Sequence, residues 1–146
     1  MDATPPAFDL RQRATFGFYT TEQIRFADLD QNGHVNNLSF LAMMESARQR
    51  FIAGHTPLVL TDEQTYMLVH LDVDFVGELH YPGAVDAACR VVEVRRSSVV
   101  FGQALFAGER AVATLKAVTV NVDRRIRKAA PFTDDAREKL LALLAV

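Results

Sequence analysis

The chain has 146 residues, 49% hydrophobic and 23% charged, with 16 basic and 18 acidic side chains and one cysteine. That composition suits one globular domain with a sizeable core and excludes the disordered class. The formal net charge of -2 offers no field to gather nucleic acid or anionic lipid. The single Cys89 excludes an intramolecular disulfide framework and a multi-cysteine zinc site, and a reducing cytoplasm is the expected setting.

Residues 1–13 show no apolar period and contain Pro5 and Pro6, which predicts a loose lead-in ahead of one domain over 14–146. The acidic, proline-bearing start does not have the pattern of a signal peptide, and no apolar run approaches membrane-spanning length. Phe16, Phe18, Ile24 and Phe26 around Thr20-Thr21-Glu22 predict a first strand with an irregular start. A polar loop follows from Asp28 to Gly33.

From Asn37 onward, Phe40, Leu41, Met44, Ala47, Phe51 and Ile52 recur at three- and four-residue spacing, with Ser46, Arg48, Gln49 and Arg50 on the far side and Gly54 as a stop. Apolar residues over more than half its circumference predict a central helix embraced by a sheet. After the stretch Leu58 to Gln64, Val69 to Phe75 alternates as a strand with one wet face, and Gly77 and Pro82-Gly83 punctuate the chain. Strands are predicted at Val85 to Val94, Val99 to Phe106 and Arg110 to Val122, the last two joined by the turn Ala107-Gly108-Glu109. Such hairpins make an antiparallel sheet. Both faces of these last strands carry apolar residues; one can lie on the helix, and self-association is expected to cover the other. Thr133-Asp134-Asp135 caps a closing helix bearing Leu140, Leu141, Leu143 and Leu144.

The densest polar cluster is Asp28 to Asn37, just before the central helix. Amides from Val35 to Leu38 at the helix start are unsatisfied donors, suited to hold a carbonyl oxygen as it becomes negative. Asp30 lies where a carboxylate could attack that carbonyl or take a proton from water. Gly33 permits a close approach, and Asn32 and His34 can orient a water. A cap-and-turn reading of the same residues stays open. Asp28, Asp30, Asn32 and Gly33 also match the first half of a calcium loop, but Ser39 stands where its bidentate Glu is required.

The run Arg25-Phe26-Ala27-Asp28-Leu29-Asp30-Gln31-Asn32-Gly33-His34-Val35-Asn36-Asn37, followed by a helix, resembles the opening of 4-hydroxybenzoyl-CoA-type and acyl-ACP thioesterases. The resemblance extends more weakly to Val73-Asp74-Phe75, Tyr81-Pro82-Gly83, Arg95-Arg96-Ser97-Ser98 and the strand Val112 to Val122. It implies an α+β hot-dog domain, an antiparallel sheet wrapped around a central helix with a C-terminal helix, assembled as a homodimer or homotetramer with its site between subunits. It implies an acyl-CoA or acyl-ACP substrate, Asp30 as nucleophile or general base, and an oxyanion amide near Asn37. The acyl-ACP branch also uses an Asp, Asn and His in alternation, matched by Asp30, Asn32 and His34. Two departures stand out: the acyl-ACP enzymes, which are from plants, are much longer and carry two hot-dog units per chain, and the CoA branch usually has an aliphatic residue where His34 stands.

Glu45, two turns into the helix, matches an acid that some hot-dog enzymes use for water activation; a solvated helix residue fits it as well. Substrate contacts are expected from Gly33, Val35, and from Arg95, Arg96 and Ser97, whose guanidinium groups suit phosphate, although a hydrated strand end is the plainer reading. The basic run Arg124, Arg125, Arg127 and Lys128 suits contact with CoA or a carrier, although a solvated strand exit is the plainer reading. His55, His70 and His80 show no ligand spacing, so no metal and no redox cofactor are expected. Cys89 reads as a buried thiol, and Met43 and Met44 as core or acyl-pocket lining. The leading expectation is acyl-thioester hydrolysis; a non-catalytic acyl-CoA or carrier-binding domain is the second, and acyl-thioester hydration or dehydration the third.

Overall fold

In the computed structural model, the structure describes residues 7–146. A 3-10 turn at Arg13–Thr15 leads into strand β1 (Tyr19–Gln23), and a second turn, Phe26–Asp28, precedes helix α1 (Asn37–His55). Strands β2 (Gln64–Phe75), β3 (Ala84–Val94), β4 (Ser98–Ala107) and β5 (Arg110–Asp123) follow, then a short β6 (Lys128–Ala129) and helix α2 (Asp134–Ala142). The sheet order is β1-β3-β4-β5-β2, with β6 beside β5, and every pairing is antiparallel.

Asn36 caps α1 by accepting from the Ser39 amide at 2.9 Å, which satisfies one of the orphan donors of the first turn. The helix runs one residue past Gly54 and ends on Thr56, whose amide donates back to Ile52. Its apolar stripe, Phe40, Met43, Met44, Ala47, Phe51 and Ile52, packs on Ala87, Cys89 and Val91 of β3 and Val99, Phe101 and Leu105 of β4. The curled sheet around a buried helix is the hot-dog architecture, and α2, capped by the Thr133 hydroxyl, closes it through fully buried Leu140.

Three expectations are corrected by packing. Arg48, placed by spacing on the polar side, is buried, and its Nη1 donates to buried Gln103 on β4 at 2.8 Å. The outer face of β3 and β4 is not left for a partner: Leu10 and Phe16 cover Ala88, Val92, Val100, Ala104 and Phe106. Each such buried large side chain stabilises by about 1.5–3 kcal/mol. Of the predicted lead-in, residues 1–6 lie outside the described residues; within the rest, Leu10 is buried, the centre of the Phe8 ring lies 3.7 Å from the Arg90 guanidinium carbon, and Arg13 pairs with Asp86.

The third correction concerns β2, expected to have one dry face. It pairs only with β5, and Met67, Leu68, Val69, Leu71 and Phe75 are all exposed. An exposed apolar surface therefore sits on an edge strand, broken by an irregularity between Leu68 and His70.

Candidate active site

The Asp28–Asn37 segment is a folded turn whose two acids have divided the work. Asp28 is buried, and its carboxylate accepts from the Arg25 amide at 2.7 Å, Arg25 Nη2 at 2.8 Å and the Ser39 hydroxyl at 3.1 Å. Burial alone pushes this carboxyl up, but the Arg25 and Ser39 hydrogen bonds outweigh it and hold it below its ordinary value. Its carbonyl also receives the Asn36 backbone and side-chain amides at 2.8 and 2.9 Å. Asp28 thus fastens the turn to the first turn of α1, and neither it nor the strand before it fits a calcium loop.

Asp30 is exposed. Its Oδ1 accepts from the amides of Asn32 at 2.8 Å and His34 at 3.3 Å, and its own amide donates to the His34 carbonyl at 2.8 Å. Gly33 closes the loop at φ 77°, in the left-handed region that favours glycine. Asn32 is exposed and His34 half-buried beside the same turn. Asp30, Asn32, Gly33 and His34 are therefore brought together.

The donors at the helix start are fewer than the sequence suggests. The Val35 amide donates to Leu79 and the Asn36 amide to Asp28, while the Val35 side chain is buried. Val35 is thus corrected as an amide donor. The Ser39 amide is taken by the Asn36 cap. Among the described residues, no acceptor meets the amides of Asn37 and Leu38, both on exposed residues, so the oxyanion-type donors narrow to these two.

The remaining candidates lie elsewhere. Glu45 is exposed on α1, and no hydrogen bond or ion pair joins it to Asp30 among the described residues. Arg95, Arg96 and Ser97 form the β3–β4 turn, whereas the Asp30 segment adjoins the start of β3, where the Ile24 amide bonds Gly83. With 11 residues in β3, these ends are separated by a strand whose extended length is about 33 Å at 3.3 Å per residue. Arg95 is also paired with Glu93 at 3.0 Å. A cleft of about 660 Å³ opens near that far end, lined by Leu58, Val59, Gln64, Asn121 and Phe132 among others. It is well sized for a small molecule, but within one chain it does not reach Asp30. Cys89 is fully buried, and burial pushes its thiol far up, which removes it as a nucleophile.

Two features escaped the sequence. Exposed Phe26 and Tyr81 meet edge to face at 5.8 Å beside the turn. His34 and His80 are directly opposed in an antiparallel bridge, with Glu78 between them; the period of two around buried Leu79 in Glu78-Leu79-His80 was the available signal.

The family model of the thioesterase-like superfamily matches residues 24–140. No curated protein matches the chain. Among solved structures, a protein from Pseudomonas aeruginosa is 26% identical with a TM-score of 0.79, over 91% of this chain and 95% of that one. A thioesterase from Thermus thermophilus, complexed with coenzyme A and Zn, is 28% identical with a TM-score of 0.74, over 86% of this chain and 98% of that one. A 1,4-dihydroxy-2-naphthoyl-CoA thioesterase from Synechocystis, 20% identical with a TM-score of 0.73 over 86% and 96%, shares the fold. No helix among the described residues is long and apolar enough to cross a membrane.

Proposed function

The chain belongs to the thioesterase-like superfamily, and on that premise we propose that it hydrolyses a fatty or aromatic acyl thioester with Asp30 as the reacting carboxylate. The observation that carries this reading is an exposed carboxylate on a turn that leads directly to two unfilled helix-start amides, those of Asn37 and Leu38. The thioester carbonyl oxygen docks on those amides, which strengthen their hold as it becomes an oxyanion. As general base, Asp30 takes a proton from water while the hydroxide attacks; the C–S bond then breaks and the thiolate leaves with a proton. As nucleophile, Asp30 attacks the carbonyl and expels the thiolate as the C–S bond breaks; water then cleaves the acyl anhydride, freeing the acid and the Asp30 carboxylate. Asn32 and His34 orient the water, Gly33 lets the acyl carbon approach, and Glu45 is a further candidate for water activation.

Coenzyme A is the carrier we favour, because the 28% identical Thermus thermophilus thioesterase is complexed with it; an acyl carrier protein is the alternative carrier. The Arg95–Ser97 turn serves the site only across a subunit boundary. Antiparallel pairing of two β2 edges sets the start of one β2 beside the end of the other. The partner subunit's β3–β4 turn and its cleft then lie at the same end of the assembly as Asp30. That dimer also covers Met67, Val69 and Leu71, which stand exposed in one chain. Light scattering at micromolar concentration is expected to read a dimer or tetramer, and a Val69→Asp variant a monomer.

The test of function is a panel of aryl-, short- and long-acyl thioesters of CoA and carrier protein, followed by thiol release. Turnover of at least one class is expected. Because Asp30 Oδ1 already accepts two backbone amides, a pure turn-capping role is the competing reading. Tight acyl-CoA binding with no thiol release across the panel would establish the non-catalytic binding domain instead.

A further inference from the structure

We propose that His34, Glu78 and His80 form a binding site for one zinc ion, clasping the turn that carries Asp30 to the chain following β2. Antiparallel bridging sets His34 opposite His80, and the Val35 amide bonds the Leu79 carbonyl at 2.9 Å, so the backbones that carry the ligands are already fixed. Leu79 points inward and is buried, which turns its neighbours Glu78 and His80 to the same outer face. Glu78 Oε2 then lies 3.6 Å from His34 Nε2 and 3.6 Å from His80 Nε2.

Those distances suit a metal better than a direct contact. They exceed hydrogen-bond length. A tetrahedral zinc with ligand bonds of about 2.0–2.1 Å holds its ligand atoms about 3.3 Å apart, close to the two edges of 3.6 Å. One ligand atom from each residue falls within 4.8 Å of the other two, so modest side-chain rotation closes the third edge. That rotation is open to them, since the three side chains are 39%, 65% and 62% exposed. Two imidazoles and one carboxylate are a donor set for zinc, not for calcium or magnesium, and the exposure leaves a fourth position for water or another small ligand.

The inference goes beyond thioester hydrolysis, shares only His34 with that reading, and is read by binding alone. Chelator-stripped protein is titrated with zinc by calorimetry, and with cobalt to record the visible band of tetrahedral coordination. One equivalent per chain is expected, with a rise in Tm on loading. Glu78→Gln and His80→Gln, both on exposed side chains, should each weaken zinc at least tenfold with metal-free Tm unchanged, while His70→Gln on exposed β2 should bind as the parent chain does. Zinc uptake that is equal in the parent, Glu78→Gln and His80→Gln chains, or absent from the parent at micromolar zinc, overturns the site and leaves an ordinary His–Glu surface cluster.

Discussion

Replacing Asp30 with Asn separates the chemistry of the turn from its architecture. The Asp30 side chain accepts the Asn32 and His34 amides through a single oxygen, and an asparagine keeps an oxygen there to accept both. The residue is exposed, so the loss in folding free energy should stay within about 0.5 kcal/mol. An amide can neither take a proton from water nor attack a carbonyl. Loss of a general base lowers the rate by roughly 10²–10⁴, which corresponds to about 3–5 kcal/mol of transition-state stabilisation at 1.36 kcal/mol per decade; loss of a nucleophile costs more. The assay is thiol release on the best substrate of the panel, with urea unfolding of the same preparation. Full activity in Asp30→Asn would refute the assignment, as would a fall in activity matched by a collapse in stability, because the turn would then be Asp30's only product.

Asp28→Ala should show the opposite pattern: it removes three hydrogen bonds from a buried carboxylate and should cost about 2–4 kcal/mol, the Arg25 pair being discounted for its exposure. Since the folded state holds Asp28 below its ordinary value, its contribution is present above the unfolded pKa of about 3.9 and fades as pH falls through the folded one; acid titration of Tm in the two chains checks the sign. Gln103→Leu strands the buried Arg48 guanidinium and should cost about 2–3 kcal/mol in urea unfolding, part of it recovered by adding Arg48→Met. Gly102→Ala brings a Cβ to 2.6 Å from Val92 Cγ1 and 2.8 Å from Leu10 Cδ2, so it should destabilise by about 1–3 kcal/mol, and a neutral result in thermal melts would mean that Leu10 is not seated there.

Much of the fold was legible locally. The three-four spacing from Phe40 to Ile52 dictated a buried helix because that face has to leave water. Alternation and turn residues marked the strands, with Gly108 at φ 62° in the β4–β5 turn. The Asp28–Asn37 turn was also legible as the candidate segment, since polar residues crowded before a buried helix start cap it or react. The resemblance to thioesterases added the name of the chemistry, and the family match over residues 24–140 agrees with it.

What the sequence by itself determined is therefore what depends on near neighbours: element types, the helix face, and the Asp28–Asn37 turn as the place to look. Tertiary structure alone decided everything that rests on long-range pairing. It set Gln103 opposite Arg48, 55 residues away, which let a charge enter the core. It laid Leu10 and Phe16 over the outer sheet face and so moved the uncovered apolar surface to β2. It spent the Val35 and Asn36 amides on Leu79 and Asp28, leaving two donors where spacing offered four. And it opposed His34 to His80, because strand register, which no single segment encodes, chooses which side chains meet.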